Sequence, residues 1–307
     1  MKFALVILSL GLAAALIAGG IWLYTPDKAR PDLEARYSDA LTDFVAVAGV
    51  RLHVRDSGPR DAPAIVMLHG FGSSLHTWEP WAEALSADHR VIRFDLPGAG
   101  LTGPDPTGDY SDRRSLEVLT GLMDRLGVAR ASLIGNSIGG RIAWRFAAES
   151  PARVEKLVLI SPDGFAAPGA GYGQVPEVPA SFRLLRFILP TPFVRMSLAP
   201  AYADPARLTD DVVARYRDLM LAPGVRDAMI ARMEQAVLAD PDPLLRRIQA
   251  PTLLLWGEKD GMIPIANAAD YLSRIPGSRL VALPGLGHVP QEEAPAVSLE
   301  PVRDFLK

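Results

Sequence analysis

Residues 131–149 read ASLIGNSIGGRIAWRFAAE, an apolar run that breaks at Gly135-Asn136-Ser137-Ile138-Gly139-Gly140 and resumes with helical spacing. A short apolar strand, a tight turn and an amphipathic helix are the parts of a strand–turn–helix unit. A serine held on such a turn needs small neighbours two residues away on each side, and Gly135 and Gly139 supply them. The turn lifts the Ser137 hydroxyl above the sheet edge. It also aims the Ile138 N–H, at a helix N-terminus, toward the same point, as stabilisation of an oxyanion requires. A chance G-x-S-x-G in a loop is the bland alternative, and the strand and helix on either side argue against it.

Outward from this turn, short apolar runs alternate with helical patterns. Strands are expected at Ala64–Leu68, Arg90–Asp95, Ala131–Ile134, Val154–Ser161, Thr252–Trp256 and Arg279–Leu283. Helices are expected at Glu79–Ala87, Asp112–Leu126, Ile138–Glu149, near Asn267–Ile275 and at the C-terminus, ending at Leu306. Residues 43–58, with a turn at Gly49, suggest a hairpin. This alternation implies an α/β fold with a mostly parallel sheet covered on both faces.

The rhythm stops between residues 163 and 249, which hold ten of the 27 prolines and read as helices only. Thr209 caps one helix with Val212, Tyr216, Leu219 and Met220 on its apolar face, and Val225, Met229, Met233 and Val237 recur every four residues on the next. Such stripes are ordinarily core. Placed over the C-terminal edge of an open sheet, they also suit the roof of a ligand pocket. The expected division is therefore a core of residues 43–162 and 250–307 with a helical cap at 163–249.

A serine nucleophile needs a base, and the chain has five histidines. His288 follows the last expected strand in the Gly-rich loop Pro284-Gly285-Leu286-Gly287-His288, at the same sheet edge as Ser137. His69, in His69-Gly70-Phe71-Gly72, reads as loop-forming, and the Phe71 N–H there is a second candidate oxyanion donor. A carboxylate must fix the imidazole tautomer. Asp260, in Trp256-Gly257-Glu258-Lys259-Asp260, is the first choice, with Glu258 beside it and Asp163 after an earlier strand as competitors.

Taken together, His-Gly-Phe-Gly at 69–72, Asp95-Leu96-Pro97-Gly98-Ala99-Gly100, the turn at 135–140, Gly257–Asp260 and Gly287-His288 resemble the α/β-hydrolase family over about residues 43–307. The resemblance implies Ser137 as nucleophile, Asp260 as acid, His288 as base, and Phe71 and Ile138 as oxyanion donors. Serine at the turn departs from the haloalkane dehalogenase and epoxide hydrolase branches, which carry aspartate there. Gly-Asn-Ser-Ile-Gly-Gly resembles both the membrane-associated monoacylglycerol-lipase-like esterases and the C–C bond hydrolases of aromatic ring-fission products. The latter often carry Trp after the catalytic His, where this chain has Val289, and bind a dicarboxylate-like substrate through a cap arginine. The cap has ten arginines, so their presence alone does not discriminate. The expected activity is hydrolysis of a lipophilic carboxylic ester, with C–C bond hydrolysis as the alternative and a non-catalytic receptor as a third reading.

At the N-terminus, Phe3–Tyr24 carries no charge and would span ~33 Å as a helix, matching a bilayer core of about 30 Å. Trp22 and Tyr24 at its end suit the headgroup region. The expectation is a transmembrane anchor within residues 1–25, with the main domain periplasmic. The alternative is a signal cleaved near Ala18-Gly19-Gly20 and a secreted product. Residues 26–42, polar and with two prolines, read as a linker.

With 32 Lys and Arg against 35 Asp and Glu, the formal charge is −3, and no basic stripe points to nucleic acid. The absence of cysteine removes disulfides, thiol nucleophiles and Cys–metal sites. The histidines are too scattered for metal-ligand spacing, and no segment has a phosphate-cradle pattern, so no metal or cofactor is expected.

Overall fold

A computed structural model describes residues 19–20, 23–40, 43–166 and 171–307. Eight strands form one sheet: β1 (Phe44–Val47), β2 (Val50–Ser57), β3 (Ala64–Leu68), β4 (Arg90–Phe94), β5 (Ala131–Asn136), β6 (Val154–Ile160), β7 (Thr252–Gly257) and β8 (Arg279–Leu283). Their spatial order is β1-β2-β4-β3-β5-β6-β7-β8. β1 and β2 form the expected hairpin, and β2 joins β4 antiparallel. Every later pairing is parallel, from β3–β4 through β7–β8. All residues of β4, β5 and β7 are buried, as befits strands covered on both faces.

The helices, in chain order, are α1 (Arg30–Tyr37), α2 (Glu79–Leu85), α3 (Asp112–Arg125), α4 (Ile138–Glu149), α5 (Thr191–Leu198), α6 (Asp210–Met220), α7 (Val225–Glu234), α8 (Asp242–Leu245), α9 (Ala268–Leu272), α10 (Pro290–Glu293) and α11 (Pro295–Leu306). On one face of the sheet, Leu119, Leu122, Ile142, Trp144 and Phe146 of α3 and α4 pack with Val66, Leu133 and Leu254. On the other, Trp81 and Leu85 of α2 and Leu299 and Val302 of α11 pack with Ile65, Val91 and Leu253. Full burial of one such side chain is worth ~1.5–3 kcal/mol, so each face contributes heavily to stability.

Between β6 and β7, the stretch that contains the expected cap, the described residues form helices and loops but no strand. The Thr209 side chain accepts the Val212 N–H and caps α6. Tyr216 and Leu219 are buried on α6 as expected, Val213 is buried beside them, and Val212 and Met220 are half-buried against the cluster that holds Val213 and Tyr216. The stripe of α7 is shorter than its periodicity suggests. The helix ends at Glu234 and Val237 is exposed. Gln235 stops it, accepting the Tyr110 N–H and donating to Gly108 O.

The linker expected over 26–42 is instead folded against the body. Residues 30–37 form α1, with Pro31 in its first turn, and Leu33 and Tyr37, one turn apart, are buried against Leu101, Leu219, Ala222 and Val225. Polar composition concealed this, because the charges themselves are the glue. Asp218 of α6 accepts from Lys28 Nζ at 2.6 Å, Arg36 Nη1 at 3.0 Å and the Tyr37 hydroxyl at 3.0 Å. The Tyr37 carbonyl in turn accepts from His76 and Arg55 of the core. The segment is a strap joining core and cap.

No helix among the described residues is long and apolar enough to cross a membrane. Residues 1–18, and with them most of the apolar stretch from Phe3 to Tyr24, lie outside the described residues.

Candidate active site

Ser137 stands between the end of β5 and the start of α4 with φ +55° and ψ −122°, a conformation that L-residues adopt under strain. The close approach of backbone around it explains the flanking glycines. A Cβ on Gly135 would lie 2.3 Å from Gly139 O, and one on Gly139 would lie 2.2 Å from Leu68 O. The turn is pinned by Ser137 N–H donating to Ile160 O at 3.0 Å, and by Ser137 O accepting from Asp163 N–H at 3.0 Å. Ile138 is the first residue of α4, where the amide has no intrahelical acceptor.

His288 follows β8, and its ring is buried. Its Nδ1 lies 2.8 Å from Asp260 Oδ2, while Asp260 Oδ1 accepts the N–H groups of Met262 and Ile263, each at 2.8 Å. Burial opposes ionisation of Asp260, but the His288 hydrogen bond and charge and the Ile263 N–H outweigh it, and the carboxyl is held below its ordinary value. An ionised carboxylate only accepts, so this bond assigns the proton to Nδ1 and leaves Nε2 as the basic nitrogen. The two competing carboxylates are elsewhere. Glu258 is exposed, and Asp163 pairs with Arg141 at 2.9 Å.

The loop after β3 completes the site. A Cβ on Gly70 would come 3.3 Å from Ser137 Cβ, so the loop lies directly against the serine. His69 has the structural role expected of it. Nδ1 donates to Gly70 O at 2.8 Å and Nε2 accepts the Leu96 N–H at 2.9 Å. Burial pushes its pKa down, which keeps this neutral tautomer. Phe71, Ser137 and His288 border one cavity, with Ile138 beside Phe71 in a small recess behind it.

Several residues that hold this arrangement were not anticipated. Asn136 Nδ2 donates to His288 O at 2.9 Å and to Ile160 O at 3.1 Å, tying the histidine loop to the serine strand. Buried Glu293 accepts the Gly287 N–H at 2.7 Å and the Asp204 N–H at 2.7 Å. The His288 N–H donates to Ala201 O of the cap at 2.8 Å. An Asn before the serine is visible in sequence, but its acceptor is 152 residues away, and no local pattern reports that contact.

The cavity measures about 450 Å³, within the range of small-molecule sites. Phe182, Leu185, Leu189 and Phe193 of the cap line it, with Met220, Met229 and Met233, so the methionine stripe does face a pocket. Val289 lines it beside His288. Among the described residues, Arg226 is the one arginine on its wall, and its guanidinium is paired with Asp27 at 2.6 Å.

A mostly parallel sheet, a serine on a strained strand–helix turn and an Asp–His pair at the same edge define a class of hydrolases. The match to the α/β hydrolase fold family extends over residues 63–295, and the chain belongs to that family. A 2-hydroxy-6-oxononadienedioate/2-hydroxy-6-oxononatrienedioate hydrolase of Cupriavidus pinatubonensis is 31% identical over 83% of this chain and 90% of its own. The enol-lactonase of Burkholderia xenovorans is 29% identical, with a TM-score of 0.72 over 86% of this chain and 99% of its own. A bacterial membrane phospholipase A, 24% identical, shares the fold with a TM-score of 0.74 over 100% of this chain and 98% of its own. The protein is an α/β-fold hydrolase, and its relatives include C–C bond hydrolases.

Proposed function

We propose that the protein hydrolyses carboxylic esters with a lipophilic acyl chain. Ser137 Oγ attacks the acyl carbonyl and its proton passes to His288 Nε2. The Phe71 and Ile138 N–H groups receive the oxyanion, and Asp260 stabilises the imidazolium. His288 then protonates the departing alcohol, and a water activated by the same nitrogen releases the acid from Ser137. Each oxyanion donor is worth about 2.7–4 kcal/mol in such sites. The chemistry uses no metal or cofactor. The apolar Phe3–Tyr24 segment belongs to the same reading, as an anchor that holds the catalytic domain at the outer side of a membrane, the periplasmic side in a two-membrane cell.

The observation that carries the ester reading is the pocket wall. Its charge is compensated, with Arg226 paired to Asp27, and the rest of its lining is dominated by Phe, Leu and Met. A dioate brought into such a wall leaves a carboxylate without a cation, at a desolvation cost of several kcal/mol.

A second reading, C–C bond cleavage by the same residues, has the relatives in its favour, because the Cupriavidus protein acts on a hydroxy-oxo-dienedioate. The two separate in one comparison. The full chain is given p-nitrophenyl esters of saturated acids and, in parallel, 2-hydroxy-6-oxononadienedioate. The proposal expects kcat/KM to be at least about 100-fold higher on the best ester, a difference of ~2.7 kcal/mol in barrier. The reverse order establishes the C–C hydrolase.

A further inference from the structure

The strap meets a charged residue of the pocket wall at Arg226. Arg226, on α7 next to the pocket-lining Met229, Ile230 and Met233, is almost fully buried and itself lines the cavity. Its Nη2 donates to Asp27 Oδ1 at 2.6 Å and its Nη1 to Leu185 O at 3.1 Å. Asp27 Oδ2 accepts the Gly224 N–H at the start of the same helix. Asp27 itself belongs to neither the core nor the cap. Asp27 sits just after the apolar N-terminal stretch, and Lys28 N–H and Lys28 Nζ fasten the chain there to Leu221 O and Asp218.

We infer that Asp27 is a specificity-determining residue: it neutralises Arg226 on the pocket wall, so that the cavity accepts an uncharged acyl chain and rejects one ending in a carboxylate. The inference deepens the ester reading and rests on it. A buried guanidinium is a carboxylate receptor by its geometry, with paired N–H donors in a rigid fork. Asp27, through Nη2, and Leu185 O, through Nη1, already engage that fork. A substrate carboxylate would meet a satisfied cation, with the Asp27 charge beyond it. Discrimination against an anionic chain is thus supplied by a repulsive element from outside the site. Because that element lies in the strap, its position is joined to that of the N-terminal segment.

The test uses two p-nitrophenyl esters of six-carbon acids, the hexanoate and the half-ester of adipic acid, which ends in a carboxylate. The full-length protein is compared with Asp27→Asn and with Asp27→Asn/Arg226→Met, and the ratio of kcat/KM for the carboxylate ester to that for the neutral ester is read. The ratio is expected to rise by about tenfold or more in Asp27→Asn and to fall back in the double variant. A ratio unmoved in folded Asp27→Asn overturns the inference. Should Asp27→Asn fail to fold, Asp27→Asn/Arg226→Met, in which both charges are removed together, decides it. The ratio then stays at the wild-type value if Asp27 already silences the arginine, and a fall below that value overturns the inference. Calorimetric binding of methyl hexanoate and monomethyl adipate to the Ser137→Ala background reads the same ratio without turnover. Absence of wild-type turnover on both p-nitrophenyl esters therefore counts against the ester reading, while the binding ratio still decides the role of Asp27.

Discussion

Asn136 and His288 are separated by 152 residues and joined by a 2.9 Å hydrogen bond from the amide of one to the carbonyl of the other. The bond fastens the loop that presents the base to the strand that presents the serine. Because Asn136 also bonds Ile160 O, its side chain sets the spacing of three neighbouring chain segments. Removing it leaves His288 O without a donor at a buried position and Ile160 O with the Ser137 N–H alone. Asn136→Ala is therefore expected to lower the melting temperature and kcat together with little change in KM, by about 10–100-fold in kcat for a displacement of about an ångström. Steady-state kinetics beside a thermal melt check this. An unchanged kcat would show that the other anchors of the loop suffice.

Asp260→Asn replaces the acceptor of His288 Nδ1–H with an amide that can present a donor there. The expected result is a folded protein whose kcat falls by ~10⁴, the consequence of the wrong imidazole tautomer. Glu258→Gln, an exposed change, should leave kcat within twofold. Kinetics of the pair compare the two carboxylates of the Gly257–Asp260 loop directly, and a larger loss in Glu258→Gln would reassign the acid.

Gly139→Ala places a Cβ 2.2 Å from Leu68 O and 2.6 Å from His69 O, both backbone atoms that cannot swing aside. The variant is expected to lose soluble expression or all ester turnover. Gly108→Ala, where the added Cβ has open space although φ is +68°, should cost about 1 kcal/mol and keep the activity. Expression yield and turnover of both variants test the close packing of the turn.

Asp95 is fully buried and accepts from His53 Nδ1 at 2.8 Å and from the Leu75 and Leu101 N–H groups at 2.7 and 2.8 Å. Burial opposes its ionisation, but the charge and hydrogen bond of His53 outweigh burial and hold the carboxyl far below its usual range. A depressed carboxyl stabilises the fold in full above its unfolded pKa and loses that contribution as pH falls toward the folded value. Denaturant melts between pH 5 and 2.5 should therefore show wild-type stability falling more steeply than that of Asp95→Asn. Below about pH 4 the excess slope approaches 1.4 kcal/mol per pH unit. Parallel slopes would mean that Asp95 is not ionised in the native protein.

The legible parts of this molecule are those whose signal is local. Ala64–Leu68, Ile138–Glu149 and Arg279–Leu283 have the bounds expected from periodicity, because burial of a whole strand or one helix face imposes a pattern on consecutive residues. Ser137, His288 and Asp260 were legible because each sits on a turn at the end of a strand, where open sheets place their chemistry. Two kinds of feature escaped. Asn136 and Glu293 act through partners distant in the chain, which no window of sequence contains. The strap escaped because its folding rests on Asp218, a carboxylate 181 residues from Tyr37, and only the Leu33–Tyr37 spacing hinted at a buried helix face.

The most direct test of the central claim is hydrolysis of p-nitrophenyl esters, from two to sixteen carbons in the acyl chain, by the full-length protein beside its Ser137→Ala variant. The account predicts turnover that passes through a maximum at a chain length set by the cap, and a loss of at least about 10³-fold at that length in the variant. Turnover that survives in Ser137→Ala, or no turnover at any length, would contradict it.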